Sequence, residues 1–542
     1  MRVLFVMCLI LQIPLSSSTV LAQSDHSGSS EKLGTVHFST SCSSATEQEF
    51  NRAVELMHSF QFARAIESFH AIVASDPSCS MAYWGIALSS WGNPFVPGLK
   101  PQAQLDEGLK AVTQARAANP KTARERAFVE AVARLYSDTA TIDQGSRILA
   151  YESAMAVVSA SYPDDTEAAI FYALAIAAAA DPGDKTYARQ LKAGRILESL
   201  YTKYPDHPGL AHYIIHAYDV PPLAARAASA AQHYAEIAPS SPHALHMPSH
   251  TFTRLGEWQA SIDANIASAA SARTAGQPVD ELHAFDYLVY AYLQTAQDVA
   301  AQRIVESTVQ TFAHFNPKIL IGGAGSPATA YFAHAAIPAR YALERRSWTD
   351  AAHLEPTPSP YPQTDAITYF ARGLGSAHLG DSAATRSAMR SLEGCRDKLN
   401  TLRETYWASQ VEIQRVELGA WLAFAEGKPQ DALAGMRAAA ALEDQTEKSA
   451  VTPGPLAPAR EQLGELLLEL KQPSQALEEF KSTLVKEPNR FRSLYGAAKA
   501  ARLAGDRQTE QVYIQKLVKV AEHADQPGRK ELAEAHHEAT AN

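Results

Sequence analysis

Small and bulky residues recur along this chain at matched spacings, each run closed by a proline or glycine, and nothing else in the sequence restricts its folding so strongly. From Phe50 to Pro77 the pattern runs through Ala53, Leu56, Ala65, Phe69 and Ile72. It returns at Gly464, Leu467, Ala476, Phe480 and Pro488, again from Ala498 to Gly505, and around Ala420, Gly427 and Ala432. Small residues allow two helices to approach closely, and proline cannot continue a helix. Each run therefore predicts a helical hairpin, which must stack on neighbours to bury its apolar face. Stacking also accommodates the length. A chain of 542 residues exceeds one ordinary core, but a stack of hairpins lengthens without enlarging any single core. Abundant alanine and scarce Val/Ile/Thr runs point to helix throughout.

The spacing resembles the tetratricopeptide repeat (TPR), a helix–turn–helix unit with a period of about 34 residues. The resemblance covers nearly all of the chain after its N-terminal segment, with about twelve hairpins expected between residues 46 and 523. It implies an all-α fold, a TPR-type α-solenoid in which hairpins form a right-handed superhelix whose concave groove receives ligands. It implies fold, not function. Two stretches interrupt the array: the glycine-rich loop 316–327 and the proline-rich linker Leu354–Gln363. The expected organisation is a signal peptide at 1–22, a flexible leader at 23–36, solenoid segments at 37–315 and 328–525, and a polar tail at 526–542.

Arg2, the apolar run Val3–Leu15 and the compact residues Val20-Leu21-Ala22 have the pattern of an export signal cleaved after Ala22. The apolar run is too short to span a bilayer, and no later stretch is apolar enough to do so. A periplasmic or secreted protein is expected. Disulfides are then permitted. Cys42 and Cys79 flank the first hairpin and are expected to bridge its ends, leaving Cys395 as a buried small residue. The net charge of −10 and the lack of a long basic stretch argue against a nucleic-acid partner.

The histidines carry the functional signal. His212 and His216 are four residues apart, as are His246 and His250, and the two pairs are offset by 34 residues, one full repeat. Residues i and i+4 share a helix face. If Pro208 and Pro242 open successive repeats, the four imidazoles occupy repeat positions that in TPR proteins line the groove. Asp219 continues the first face, and aligning His283 with His243 puts Asp286 and Tyr290 in the equivalent places on the next helix. Neutral imidazoles with a carboxylate suit zinc, copper or iron. His212, His216, His246 and His250 are thus the candidate metal ligands, and Asp219 and Asp286 the candidate further ligands or general bases. His243, His283, Tyr290 and Arg254 are expected around them, supporting the ligands or orienting a substrate. Glu167 is a looser candidate to face His212. Pro248 between His246 and His250 should kink its helix, and Pro221-Pro222 should end the helix before it.

The same residues admit plainer readings: groove positions that hydrogen-bond a peptide, or packing histidines satisfied by backbone and carboxylate. Three functions follow. The first is a transition-metal site with hydrolytic or oxidative chemistry on a small molecule or peptide. The second is a metal-free scaffold for peptide or protein partners in the cell envelope. The third is a purely structural assembly factor. No Gly-x-Ser-x-Gly elbow, phosphate loop, dinucleotide fingerprint or His-Glu-x-x-His helix is present.

Overall fold

Proline opens many of the helices, at the one position where its missing N–H costs no hydrogen bond. Pro208, Pro242, Pro278, Pro327, Pro362, Pro429 and Pro473 all stand in a first turn. Elsewhere a side chain caps the free amides: Thr122 and Glu125 form a reciprocal capping box, and Asp165 and Asp381 accept from Ala168 and Ala384. A computed structural model describes residues 31–540 except 97 and 527, and it is an α-solenoid with no strand among the described residues. The expected signal segment 1–22 and leader residues 23–30 lie outside the described residues.

Successive helices pack on one another in chain order. The small residues of the repeat pattern sit where helices cross. Ala53, Ala65 and Ala476 are fully buried, and Gly464 and Gly496 give way to the Phe480 ring, which a Cβ at either would meet at 2.9 and 2.4 Å. The Cys42–Cys79 disulfide closes the first hairpin, with a Cα separation of 4.8 Å.

Three features depart from the expected organisation. Residues 32–36 are packed rather than loose: Leu33 and Val36 are buried, and Thr35 donates to the Asp206 carbonyl at 3.0 Å. Within the expected polar tail, Lys530–Thr540 is a helix whose Leu532 and Ala535 join a core with Phe491 and Leu517; its charged face disguised the apolar one. The glycine loop is held in place, since Asp280 accepts from the Gly325 amide at 2.9 Å and the Gly322 carbonyl accepts from Ala63 at 2.9 Å.

The solenoid also returns on itself. The Trp258 indole donates to the Asn489 carbonyl at 2.9 Å, the Phe491 amide to the Gln294 side chain at 3.0 Å, and Arg529 pairs with Asp298 at 2.6 Å. The expected open groove is therefore filled beside the histidines, by the connection between the Pro429–Asp444 and Ala459–Glu469 helices. Its Lys448, Ala450 and Thr452 reach Asp219, Tyr287 and Arg340.

Candidate metal centre

Three helices bring six imidazoles into one row. The Pro208–Ala217 helix carries His212 and His216. The next is split at Met247 into Pro242–His246 and Pro248–Leu255. The missing N–H of Pro248 divides it as the sequence suggests, without turning His246 and His250 apart: their rings lie 5.0 Å from each other. The Pro278–Gln294 helix adds His283. Along the row, ring centroids are 4.9 Å apart for His212–His243, 6.0 Å for His243–His246 and 4.5 Å for His246–His283. All six are buried, from 0% exposed at His212 to 9% at His216.

The row divides into two trios, His212/His216/His243 and His246/His250/His283. In each, one ligand-capable atom per residue lies within 4.8 Å of the others.

Hydrogen bonding settles where protons sit. Asn265 Nδ2 donates to the Ser261 carbonyl at 2.7 Å, so its Oδ1 must accept from His246 Nδ1, 2.6 Å away. His250 Nδ1 donates to the Asp219 carboxylate at 3.0 Å. Neutral His246 and His250 have thus used their protons on Nδ1, yet their Nε2 atoms face each other at 3.1 Å. Two lone pairs meet with no proton between them. Four nitrogens around a tetrahedral zinc lie about 3.3 Å apart, from bonds of about 2.0–2.1 Å, so this spacing fits two ligands of one ion. His212 Nδ1 likewise donates to the His58 carbonyl at 2.6 Å, turning its Nε2 lone pair to His243 Nε2 at 3.1 Å. That contact becomes an ordinary N–H···N bond if His243 carries its proton on Nε2. His216 Nε2 and His283 Nδ1 are buried with no partner among the described residues. Such unpaired polar nitrogens are costly in a protein interior.

Burial holds His212 and His283 down to about 3. Burial, reinforced by the neighbouring imidazoles, keeps His216, His243 and His246 well below the usual histidine range. His250 is lowered by burial and partly restored by Asp219.

Asp219 anchors one end of the row. It accepts from Arg254 Nε at 2.9 Å, Lys448 Nζ at 3.1 Å and His250 Nδ1 at 3.0 Å. Burial opposes its charge, but Lys448, Arg254 and His250 outweigh burial and hold it well below the carboxylate range. Burial lowers Lys448 to about 8 although Asp219 opposes this.

A separate cluster lies further up the solenoid. Glu167 bridges His58 Nε2 at 2.9 Å and His207 Nε2 at 2.8 Å, and His58 Nδ1 meets the Tyr213 hydroxyl at 3.0 Å.

The four histidines singled out from the sequence lie together, and His243 and His283, expected around them, are members of the trios. Asp219 touches the row through a proton donor, positioning His250 rather than offering a free oxygen. Arg254 binds Asp219 instead of facing open space. Asp286 is turned away: Arg340 holds it at 2.7 Å. Tyr290 pairs with Glu487 at 3.1 Å. Glu167 faces His58 and His207, not His212. The residue that occupies the place expected of Tyr290 is Tyr287, whose ring lies 4.8 Å from His246 and 4.9 Å from His250. His283 and Tyr287 repeat the i, i+4 spacing of the two histidine pairs, and that signal was available in the sequence. His58 had none, because it comes from the first hairpin.

No family model matches the sequence, and no curated protein does. Among solved structures, human IFIT1 as a dimer with m7Gppp-AAAA aligns at a TM-score of 0.39 and 9% identity, over 89% of this chain and 96% of that one. The Cut9–Hcn1 hetero-tetramer of the APC/C aligns at 0.30 and 10%, over 92% and 96%. Both neighbours are TPR-containing helical solenoids, and likeness at this level carries nothing about a ligand.

Proposed function

We propose that this protein is a metal-binding α-solenoid whose buried histidine row holds transition-metal ions, one in the His246/His250/His283 trio and one in the His212/His216/His243 trio. One observation carries the reading: His246 and His250 each spend their proton on an outer acceptor and present bare Nε2 atoms to each other at 3.1 Å. Metal-bound histidines are oriented in this way by the hydrogen bond on their other nitrogen. The partnerless nitrogens of His216 and His283 support it further. Neutral imidazole ligands suit zinc, copper or iron. Three ligands per ion leave a fourth position, which in zinc enzymes takes water or substrate, so hydrolysis or oxidation of a small molecule or peptide is the activity to assay. The Cys42–Cys79 disulfide supports an exported location.

The test is metal analysis of protein purified without a polyhistidine tag, followed by Co(II) titration of the chelator-treated protein. One or two equivalents are expected, with visible bands of tetrahedral cobalt that vanish in His246→Ala/His250→Ala and persist in the distant His334→Ala. Protein that takes up no metal, and whose stability does not change with chelator, sinks the reading in favour of a metal-free scaffold.

A further inference from the structure

A second cavity lies beyond Asp219, lined by none of the histidines. One face of the Thr405–Ala425 helix forms much of its wall. Trp407, Gln410 and Gln414 line it at intervals of three and four residues, so that they fall on one side of the helix. Each leaves a buried polar atom without a partner among the described residues: the Trp407 indole N–H, the Gln410 amide nitrogen and the Gln414 amide oxygen. Trp407 is itself only 7% exposed. A lone unsatisfied group would be unremarkable, but three on one face of one helix, all at the same cavity, constitute a donor and acceptor surface.

The charges of the wall are already matched. Arg254 and Lys448 are paired with Asp219, Arg340 with Asp286, and Arg460 and Lys486 with Asp444. Glu447 is paired with Lys185, and Glu487 accepts from Tyr290. Glu443 accepts from the Ala459 amide at 3.0 Å, and burial raises it to about 7, where it can also donate. What remains unmet is neutral: an indole N–H and two carboxamides. Aromatic faces complete the wall, with the Trp407 and Phe332 rings 5.8 Å apart and Tyr406 alongside. The cavity measures about 120 Å³, room for roughly ten water-sized atoms.

We infer that this cavity is a binding site for a small neutral polyhydroxylated molecule, of the size of a single sugar ring. Each hydroxyl both donates and accepts, which matches an indole donor beside two carboxamides. The apolar face of the ring has Trp407 and Phe332 to lie against. A charged ligand would need an unpaired counter-charge that the wall does not offer. The site is independent of the metal row.

The test is titration of the full chain with D-glucose, D-galactose and N-acetyl-D-glucosamine, with the dipeptide Ala-Ala as the competing class, read by thermal unfolding and tryptophan fluorescence. At least one sugar is expected to raise the Tm saturably and to alter the fluorescence. That fluorescence change should be lost in Trp407→Phe. Gln414→Leu and, as a second variant, Gln410→Leu should each weaken binding about tenfold, the loss of one buried hydrogen bond, with helix content unchanged by circular dichroism. Silence of all three sugars up to tens of millimolar overturns the inference. So does saturable binding of Ala-Ala with the sugars silent, which assigns the cavity to peptides, or sugar binding that both glutamine variants leave intact. The wild-type titration decides the matter even if a variant fails to fold.

Discussion

Asp219→Asn isolates the residue that joins the histidine row to the rest of the solenoid. In the wild type its carboxylate, whose side chain is 9% exposed, neutralises Arg254 and Lys448, which are 4% and 5% exposed. Asparagine keeps the shape and one acceptor, so Arg254 retains a partner. The amide nitrogen then faces Lys448 and His250, donor against donor. Breaking one side of a buried ion pair costs about 3–5 kcal/mol, and that loss is expected in urea unfolding at pH 7. The loss should shrink with pH. Lys448 is depressed to about 8 in the folded wild type. Its unfolded form, near 10.4, binds more protons in between, so stability rises with pH across that window. Without Asp219 the folded pKa falls further, the variant gains more over the same range, and the gap narrows above pH 8. Lys448→Met should likewise reduce the cost of Asp219→Asn. Because Asp219 fixes the proton of His250 on Nδ1, the variant should also bind Co(II) some 10–100-fold more weakly. A loss under about 1 kcal/mol at pH 7, or one indifferent to both pH and Lys448→Met, would refute the reasoning.

Further predictions concern other parts of the molecule. The buried histidines have depressed folded pKa values, so the stability they contribute is present above about pH 6.5 and is lost as pH falls towards the value of about 3 of His212 and His283. The slope of unfolding free energy below pH 6.5 should fall by up to about 1.4 kcal/mol per pH unit when one of them is removed, as in His283→Gln; equal slopes would count against burial as the cause. Reducing the Cys42–Cys79 bridge, which spans 37 residues, should cost about 4 kcal/mol by loop entropy, measured by chemical unfolding with and without reductant. Gly256 has φ +69°, and a Cβ there would lie 2.4 Å from the Pro488 carbonyl oxygen. Gly256→Ala should therefore destabilise by about 2–4 kcal/mol, strain and overpacking together, with Gly276→Ala, which meets nothing within 4 Å, as a control for strain alone.

What the sequence determined by itself is local and periodic. Small residues at helix crossings, prolines in first turns and cysteines flanking one hairpin are constraints within a repeat or between adjacent repeats, and they are legible because each depends on spacing along the chain. The two i, i+4 histidine pairs one repeat apart belong to the same class, and Tyr287 was readable by the same rule. Tertiary structure decided what the chain does across repeats. His58 supplies the carbonyl that orients His212, 154 residues later, and Lys448 meets Asp219 across 229 residues. Both contacts exist because the solenoid bends back until a connecting segment enters its own groove. That closure sums small rotations at every hairpin, so no single spacing encodes it. The same accumulated offset moved Asp286 and Tyr290 out of the row, to Arg340 and Glu487, and put Tyr287 one turn earlier in their place. The sequence could thus place the histidines on a face, but only the packed solenoid decides which nitrogen atoms meet, because proton positions follow from acceptors contributed by distant helices.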